Sequence, residues 1–248
     1  MAFTSPAKIN LFLRVLEKRR DGYHNIASLF HLIDLTDKIT ITLSNQDHFY
    51  CNNPTIMSPS NLVWKAVNLF RFKTGLKFKV SIELEKNIPL QSGLGGGSSN
   101  AATTLKGLNQ LFHGYVNHEE LQRWSLEIGS DVPFFFSRTG SAYCTGRGEI
   151  VRDIPRIDQK FRVYIPKRGL STPAVYQALD LSDCHQEDPE KLLEGFLNQQ
   201  PLYINDLEKP AFKMRPNLAL IKEKLNGTMS GSGTAFFYKI PNGSNLLI

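Results

Sequence analysis

Three groups of residues in this chain stand in patterns that could do chemistry on a phosphate. The first is a glycine-rich stretch, Pro89-Leu90-Gln91-Ser92-Gly93-Leu94-Gly95-Gly96-Gly97-Ser98-Ser99-Asn100-Ala101-Ala102. Glycines adopt positive φ and let the backbone approach a ligand closely, so successive N–H groups can converge on an anion. Ser98 and Ser99 add hydroxyls that could donate to phosphate, or one of them could ligate Mg²⁺. Two better-known nucleotide patterns do not fit. No Lys follows the glycines as a GK[ST] loop requires, and a GxGxxG motif started at Gly93 needs glycine where Ser98 stands. A flexible linker is the plainer reading, but linkers are rarely wedged between a strand and a helix.

The second group centres on Asp131, a lone acid in Gly129-Ser130-Asp131-Val132-Pro133 just before the apolar Phe134-Phe135-Phe136. Such a carboxylate could accept a hydroxyl proton, although capping a helix or turn is its plainer role. The third is Lys8, the first charge on a mostly apolar run. It could stabilise developing charge, or simply lay its stem on the surface. Positioning and charge stabilisation are most of what phosphoryl transfer asks of a protein. A second glycine piece, Met229-Ser230-Gly231-Ser232-Gly233-Thr234, reads equally as a tight strand-entry turn or a ligand contact.

The elements that must position these groups follow from periodicity. Residues 8–15 alternate, with Ile9, Leu11, Leu13 and Val15 on one face and Lys8, Asn10, Phe12 and Arg14 on the other, which predicts a half-buried strand. Residues 26–33, 38–43 and 78–85 read as further strands. Residues 60–74 have helical spacing, with Ser60 as cap and Gly75 just past the end. The glycine loop thus leads from a strand into a helix over 98–112, whose N-terminal dipole favours an anion. Asn117-x-x-Glu120 resembles a capping box and opens another helix. Near residue 155 the chain restarts with a strand over 161–166, helices near 172–179, 189–198 and 217–226, and a last strand over 234–240. Mixed elements without regular βαβ alternation predict an α+β fold with a boundary near residue 155.

Composition narrows the class. The chain has 248 residues, 41% hydrophobic and 21% charged, which is ordinary globular usage, with no apolar run long enough to span a membrane. Its start lacks the marks of a signal or transit segment, so a cytoplasmic protein is expected. Cys51, Cys144 and Cys184 are far apart and form no CxxC pair, which argues against a disulfide framework or zinc site and fits a reducing cytosol. A net charge of +6 suits anionic partners without separating nucleic acid from nucleotide. The basic residues are scattered, and Lys18-Arg19-Arg20 reads as a solvated turn.

Taken in order, the segments resemble the GHMP kinase superfamily. The resemblance rests on Pro6-Ala7-Lys8-Ile9-Asn10-Leu11, Arg20-Asp21-Gly22-Tyr23-His24, the 89–102 loop, Gly129-Ser130-Asp131-Val132-Pro133 and Ser230-Gly231-Ser232-Gly233. Ser171-Thr172-Pro173-Ala174-Val175-Tyr176 and Asn205-Asp206-Leu207-Glu208 are also similar to the family. It implies a two-lobe α+β architecture, a ribosomal-protein-like ATP-binding and catalytic lobe over 1–155 and a ferredoxin-like substrate lobe over 156–248. ATP and Mg²⁺ are the implied cofactors. ATP phosphates would rest on Gly93, Leu94, Gly95, Gly96, Gly97, Ser98 and Ser99, with Asn61 and Lys86 toward the nucleoside. The resemblance makes Asp131 the general base and Lys8 its charge-stabilising partner.

The Asp21-Gly22-Tyr23-His24 segment is similar to the branch that phosphorylates a cytidine diphosphate-linked methylerythritol. There Asn10 would contact substrate, Tyr23 and Tyr176 would sandwich the cytosine, and His24 would bond its edge. A small molecule is thus the implied partner, with neither nucleic acid nor membrane; metal ligands and oligomeric state stay open. Without the resemblance, Tyr23 and Tyr176 are routine aromatics, His24 a turn histidine, Asn61 a helix-start residue and Lys86 a strand-end cation. The chain departs from the pattern in two places. After residue 240 the family usually supplies another helix, and the stretch between Tyr50 and Ser60 is short.

Overall fold

Alternating apolar residues at the start of the chain build a long hairpin. In the computed structural model, which describes residues 1–240, β1 (Ala2–Lys18) and β2 (His24–Ser44) pair antiparallel from Lys18↔His24 to Ala2↔Thr40. The chain continues through β3 (His48–Cys51), α1 (Leu62–Thr74), β4 (Lys79–Glu85), α2 (Gly96–Leu111), α3 (His118–Ser125), a 3-10 turn at Pro133–Phe136, β5 (Ser141–Gly146) and β6 (Ile150–Asp153). These strands make one sheet in the order β3-β4-β2-β5-β6, with β1 also paired to β2. Val63, Val67 and Phe70 of α1 and Ala101, Leu105 and Leu108 of α2 bury against Ile39, Ile41, Ile82 and Leu84 of the sheet.

The remaining elements are β7 (Phe161–Tyr164), α4 (Thr172–Gln177), α5 (Pro189–Leu197), α6 (Glu208–Met214), α7 (Asn217–Leu225), β8 (Thr228–Met229) and β9 (Phe236–Lys239). β7, β9 and β8 form a second, antiparallel sheet, so the architecture is α+β.

β1 belongs to both halves of this arrangement. Ile9, Leu11 and Phe12 share a core with Leu193, Phe196 and Phe237, while Leu13 and Val15 pack with Val175, Leu207 and Phe236. Asp206 adds a polar clamp: its Oδ2 accepts from Arg14 Nε (3.1 Å) and Val15 N (2.7 Å), and its Oδ1 from His185 N (2.9 Å). The half-buried strand expected over 8–15 is therefore buried on both faces. A bulge also slips the register between Asn10↔Phe30 and Phe12↔Leu29, which brings Phe12 into the same core as Ile9 and Leu11 rather than opposite them.

Other boundaries moved for local reasons. The strands expected over 26–33 and 38–43 are one element, because β1 pairs along both and carries the ladder across Asp34 and Leu35. Asn61, not Ser60, caps α1, while Gly75 ends it at φ +69° as its position suggested. β3, β5, β6, β8 and α6 were not expected; α6 holds Pro210 in its first turn, where the missing N–H costs nothing. The missing-helix expectation falls on 241–248, outside the described residues.

His31 joins the two sheets. It is 8% exposed, its Nδ1 lies 2.8 Å from Ser141 Oγ on β5, and its ring meets Phe161 of β7 edge-on at 5.7 Å. Burial, helped by Arg156, lowers its pKa to about 4. The folded state thus holds a neutral imidazole that the unfolded chain protonates below its ordinary value. This stabilisation is whole above the unfolded pKa of about 6.5 and is lost as pH falls from there toward 4. Urea unfolding should show the wild type losing roughly 3 kcal/mol more than His31→Gln between pH 7 and 4. Parallel pH profiles for the two proteins would refute the assignment.

Candidate active site

The glycine loop leaves β4 through a buried anchor. Asp37 Oδ1 accepts from Asn87 N (2.7 Å) and Ile88 N (2.8 Å), and its Oδ2 from Lys86 Nζ (2.6 Å) and Asn100 Nδ2 (2.8 Å). Strand β2, the loop entry and helix α2 are thereby tied to one carboxylate. Burial holds the Lys86 ammonium below its ordinary pKa, with Asp37 opposing.

Beyond the anchor the chain turns at Gly93 (φ +80°) and Gly95 (φ +68°) before α2 begins at Gly96. Gly95 offers no side-chain cap, and the first turn of α2 carries no acid. Its amides and its dipole are left for an anion. Glycine is required at 93 because a Cβ there would lie 2.0 Å from the Ser230 carbonyl oxygen. The second glycine piece is packed against the first: Ser230 Oγ donates to Gly93 O at 3.0 Å, and Ala235 N donates to Ser92 O at 2.9 Å. Gly231 and Ser232 also line the cleft, so the piece is both a turn and a wall.

Lys8 ties this loop to Asn10 and Asp131. Its backbone N–H donates to Leu94 O at 2.9 Å. Its Nζ donates to Asn10 Oδ1 at 2.7 Å, lies 3.4 Å from Asp131 Oδ2, and sits 4.2 Å above the Phe30 ring. The Lys8 side chain is 4% exposed and that of Asp131 33%. Asp131 is held at the cleft by the buried Val132, Pro133 and Phe134 that follow it. Asn10 is oriented in turn, since its Nδ2 donates to Ser28 Oγ (2.9 Å) and its backbone N–H to Ser230 Oγ (3.3 Å).

These groups share one cleft of about 1110 Å³. At its other end stand Tyr23, 57% exposed, and a stacked pair, His24 on Tyr176, with centroids 5.2 Å apart and planes at 26°. Burial and then Lys18 lower the His24 pKa, so the ring is neutral at neutral pH. Burial and then the Asp131 charge raise that of the Tyr176 hydroxyl.

Of the residues singled out from sequence, Lys8, Asn10, Tyr23, His24, Lys86, Gly93, Leu94, Gly95, Gly96, Gly97, Ser98, Asp131 and Tyr176 line this cleft. Two are placed otherwise than expected. Ser99 is fully buried, its hydroxyl 2.8 Å from Ser5 Oγ, because the helix has already begun and its fourth residue faces the sheet. Asn61 is the cap of α1, accepting from Val63 N at 2.9 Å and donating to Ile56 O at 2.9 Å, and is not among the lining residues. Near the two tyrosines, His24 stacks on Tyr176 and the Arg147 guanidinium lies over Tyr23 at 5.0 Å.

Arg147, which lines the cleft, and Ser28, which holds Asn10, were not singled out from sequence, and Ser230 stood there only as part of the second glycine piece. The Gly146-Arg147-Gly148 bracket was the one available signal for Arg147. Among the described residues no group of three or more His, Cys, Asp or Glu gathers as a metal site. The carboxylate of Asp131 and the hydroxyl of Ser98 fit a hard cation carried on phosphates rather than in an all-protein cage.

Comparison with known proteins gives consistent matches. The GHMP kinases N terminal domain matches residues 61–138. A 4-diphosphocytidyl-2-C-methyl-D-erythritol kinase of Protochlamydia amoebophila (strain UWE25) is 47% identical over 94% of this chain and 82% of that one. The chloroplastic/chromoplastic kinase of the same name from Solanum lycopersicum is 46% identical, and this chain spans 60% of its length. A crystal structure of 4-(cytidine 5'-diphospho)-2C-methyl-D-erythritol kinase superposes with a TM-score of 0.81 at 33% identity, covering 98% of this chain and 91% of that one.

Gly93→Ala places a methyl group against a backbone oxygen at a φ that L residues rarely adopt. It should destabilise the protein by about 1–3 kcal/mol and weaken ATP binding measurably. Gly97→Ala, whose Cβ would meet only Leu62 Cδ1 at 3.5 Å, should keep or gain stability. Equal unfolding free energies for the two variants would contradict the close packing of the two glycine pieces.

Proposed function

We propose that this chain, which belongs to the 4-diphosphocytidyl-2-C-methyl-D-erythritol kinase family of GHMP kinases, transfers the γ-phosphoryl group of ATP to the C2 hydroxyl of 4-diphosphocytidyl-2-C-methyl-D-erythritol. Such a step belongs to isoprenoid precursor biosynthesis by the non-mevalonate route. The observation that carries the reading is the buried Lys8 ammonium 3.4 Å from the Asp131 carboxylate, beside an uncapped helix N-terminus.

In this reading the phosphates of ATP rest on the amides of Gly93 to Ser98 and on the positive end of α2. Asp131 accepts the proton of the attacking hydroxyl, and Lys8 stabilises the charge that develops between oxygen and phosphorus. Asn10 fixes the lysine and offers its amide to the alcohol. Ser98 or Asp131 would hold Mg²⁺ together with the phosphates, and the ion would supply further neutralisation of charge on them. Tyr23 and Tyr176 give the cytosine flat apolar faces, and the neutral His24 can bond its edge. Lys86, committed to Asp37, acts on ATP through the loop it braces. Residues 1–155 then serve as the ATP-binding and catalytic lobe, and 156–248 as the substrate lobe.

Mevalonate- or homoserine-type substrates lack a base for the aromatic end to hold. A silent nucleotide- or RNA-binding module leaves the buried lysine–aspartate pair without a purpose. Among the described residues no helix is long and apolar enough to cross a membrane.

Asp131→Asn keeps the side-chain shape and removes the base. Turnover, followed as ADP formed with the cytidine diphosphate-linked alcohol, should fall by about 10²–10⁴-fold while calorimetric ATP binding persists. Substantial turnover in this variant would remove Asp131 from the chemistry. A wild-type protein that forms no ADP with this alcohol, yet does so with mevalonate or homoserine, would overturn the substrate assignment.

A further inference from the structure

We infer that Arg147 recognises the diphosphate that links base to alcohol, and thereby sets a preference for a nucleoside diphosphate over a bare nucleoside. The inference rests on the function proposed above and assigns one residue of that cleft a role.

The cleft has an aromatic end and a reacting end, so a linking diphosphate must lay its charge between them. Arg147 occupies that interval. Its guanidinium lies 5.0 Å from the Tyr23 ring centroid, and the next residue, Gly148, is so close to Asp131 that a Cβ there would stand 3.3 Å from its Oδ1. Glycines at φ +70° and +109° on either side bend the backbone around this one side chain.

The other cations of the cleft are already committed or badly placed. Lys8 is held by Asn10 and Asp131, and Lys86 by Asp37 and Ile88 O. Lys18 pairs in register with His24, at the base platform itself. The ion-pair partner of Arg147 is Glu149, through Nε at 3.4 Å, a long contact that engages one corner of a five-donor fork. A planar guanidinium resting on an aromatic face is preorganised to take two phosphate oxygens at once. Asp21 and Glu149 also face this region, so a bound diphosphate would compete with both carboxylates for the arginine.

The test compares CDP with cytidine, by calorimetry, on the wild type, Arg147→Lys and Arg147→Gln. Turnover of the wild type is measured first, so that failure of the proposed reaction is seen separately. Arg147→Gln should weaken CDP by roughly 10- to 100-fold and cytidine by less than about twofold, with Arg147→Lys between. Substrate KM should rise with the CDP loss and ATP KM should hold. Equal weakening of both ligands would mean that Arg147 is only a wall against Tyr23. A raised ATP KM with an unchanged CDP-to-cytidine ratio would assign it to the donor phosphates. Should the variants misfold, the wild type still decides: its CDP-to-cytidine affinity ratio must fall with added salt, and a constant ratio overturns the inference.

Discussion

An ammonium group withdrawn from water has to be given anionic and hydrogen-bonding partners, and the arrangement of the site follows from meeting that demand at Lys8. Its Nζ is held by Asn10 and Asp131 over the face of Phe30. Asn10 could not hold a lysine unless it were itself held, and Ser28, whose hydroxyl donates to Phe12 O at 2.5 Å, fixes it from β2. Ser230 fixes the neighbouring amide from the second glycine piece. The same Ser230 hydroxyl donates to Gly93 O, so the lysine, the acid and the glycine loop share one polar frame.

The loop is shaped from three sides. Asp37, fully buried, fixes its entry, Lys8 N fixes Leu94 and Ser230 fixes Gly93. Preorganisation of this kind matters because amides aimed at an anion stabilise it without reorganising during the reaction. The cost is a buried Lys86–Asp37 pair, which is a weak source of stability by itself. Its value lies in geometry, since a carboxylate with four donors around it has one position. The shared cores along β1 do the same at larger scale, fixing the elements of the second half of the chain against the loop side.

Much of this was legible in the residues. Strand-then-glycines-then-helix read correctly from periodicity and from the conformational freedom of glycine, and the helix cap at Asn117 was found where its side chain now accepts from Glu120 N. The pairing of Lys8 with Asp131 was not derivable from spacing and entered only through the family resemblance. Ser99 was misplaced because α2 begins before the serines, so consecutive side chains point in different directions. Asn61 could not be sorted, since a capping asparagine and a ligand-binding asparagine look alike in sequence. The bulge at Leu11 and the burial of both faces of β1 depend on partners far along the chain, which local alternation cannot report. Arg147 belongs to no motif; only the folded hairpin sets it over Tyr23.

The unequal exposure of the ion pair bears on mechanism. Lys8 is nearly sealed and held on several sides, whereas a third of the Asp131 side chain reaches the cleft. The two partners therefore differ in what they can exchange. The lysine cannot leave without abandoning a buried amide oxygen and an aromatic face, so it behaves as a fixed charge. The aspartate has one oxygen 3.4 Å from the lysine, at the long end of ion-pair distances, and can turn toward an incoming hydroxyl at modest cost. A fixed cation beside a reorientable carboxylate is the division of labour that proton acceptance during phosphoryl transfer requires. Reversing the burial would give a mobile charge and a sealed base, and the proposed reaction would lose access to its proton acceptor.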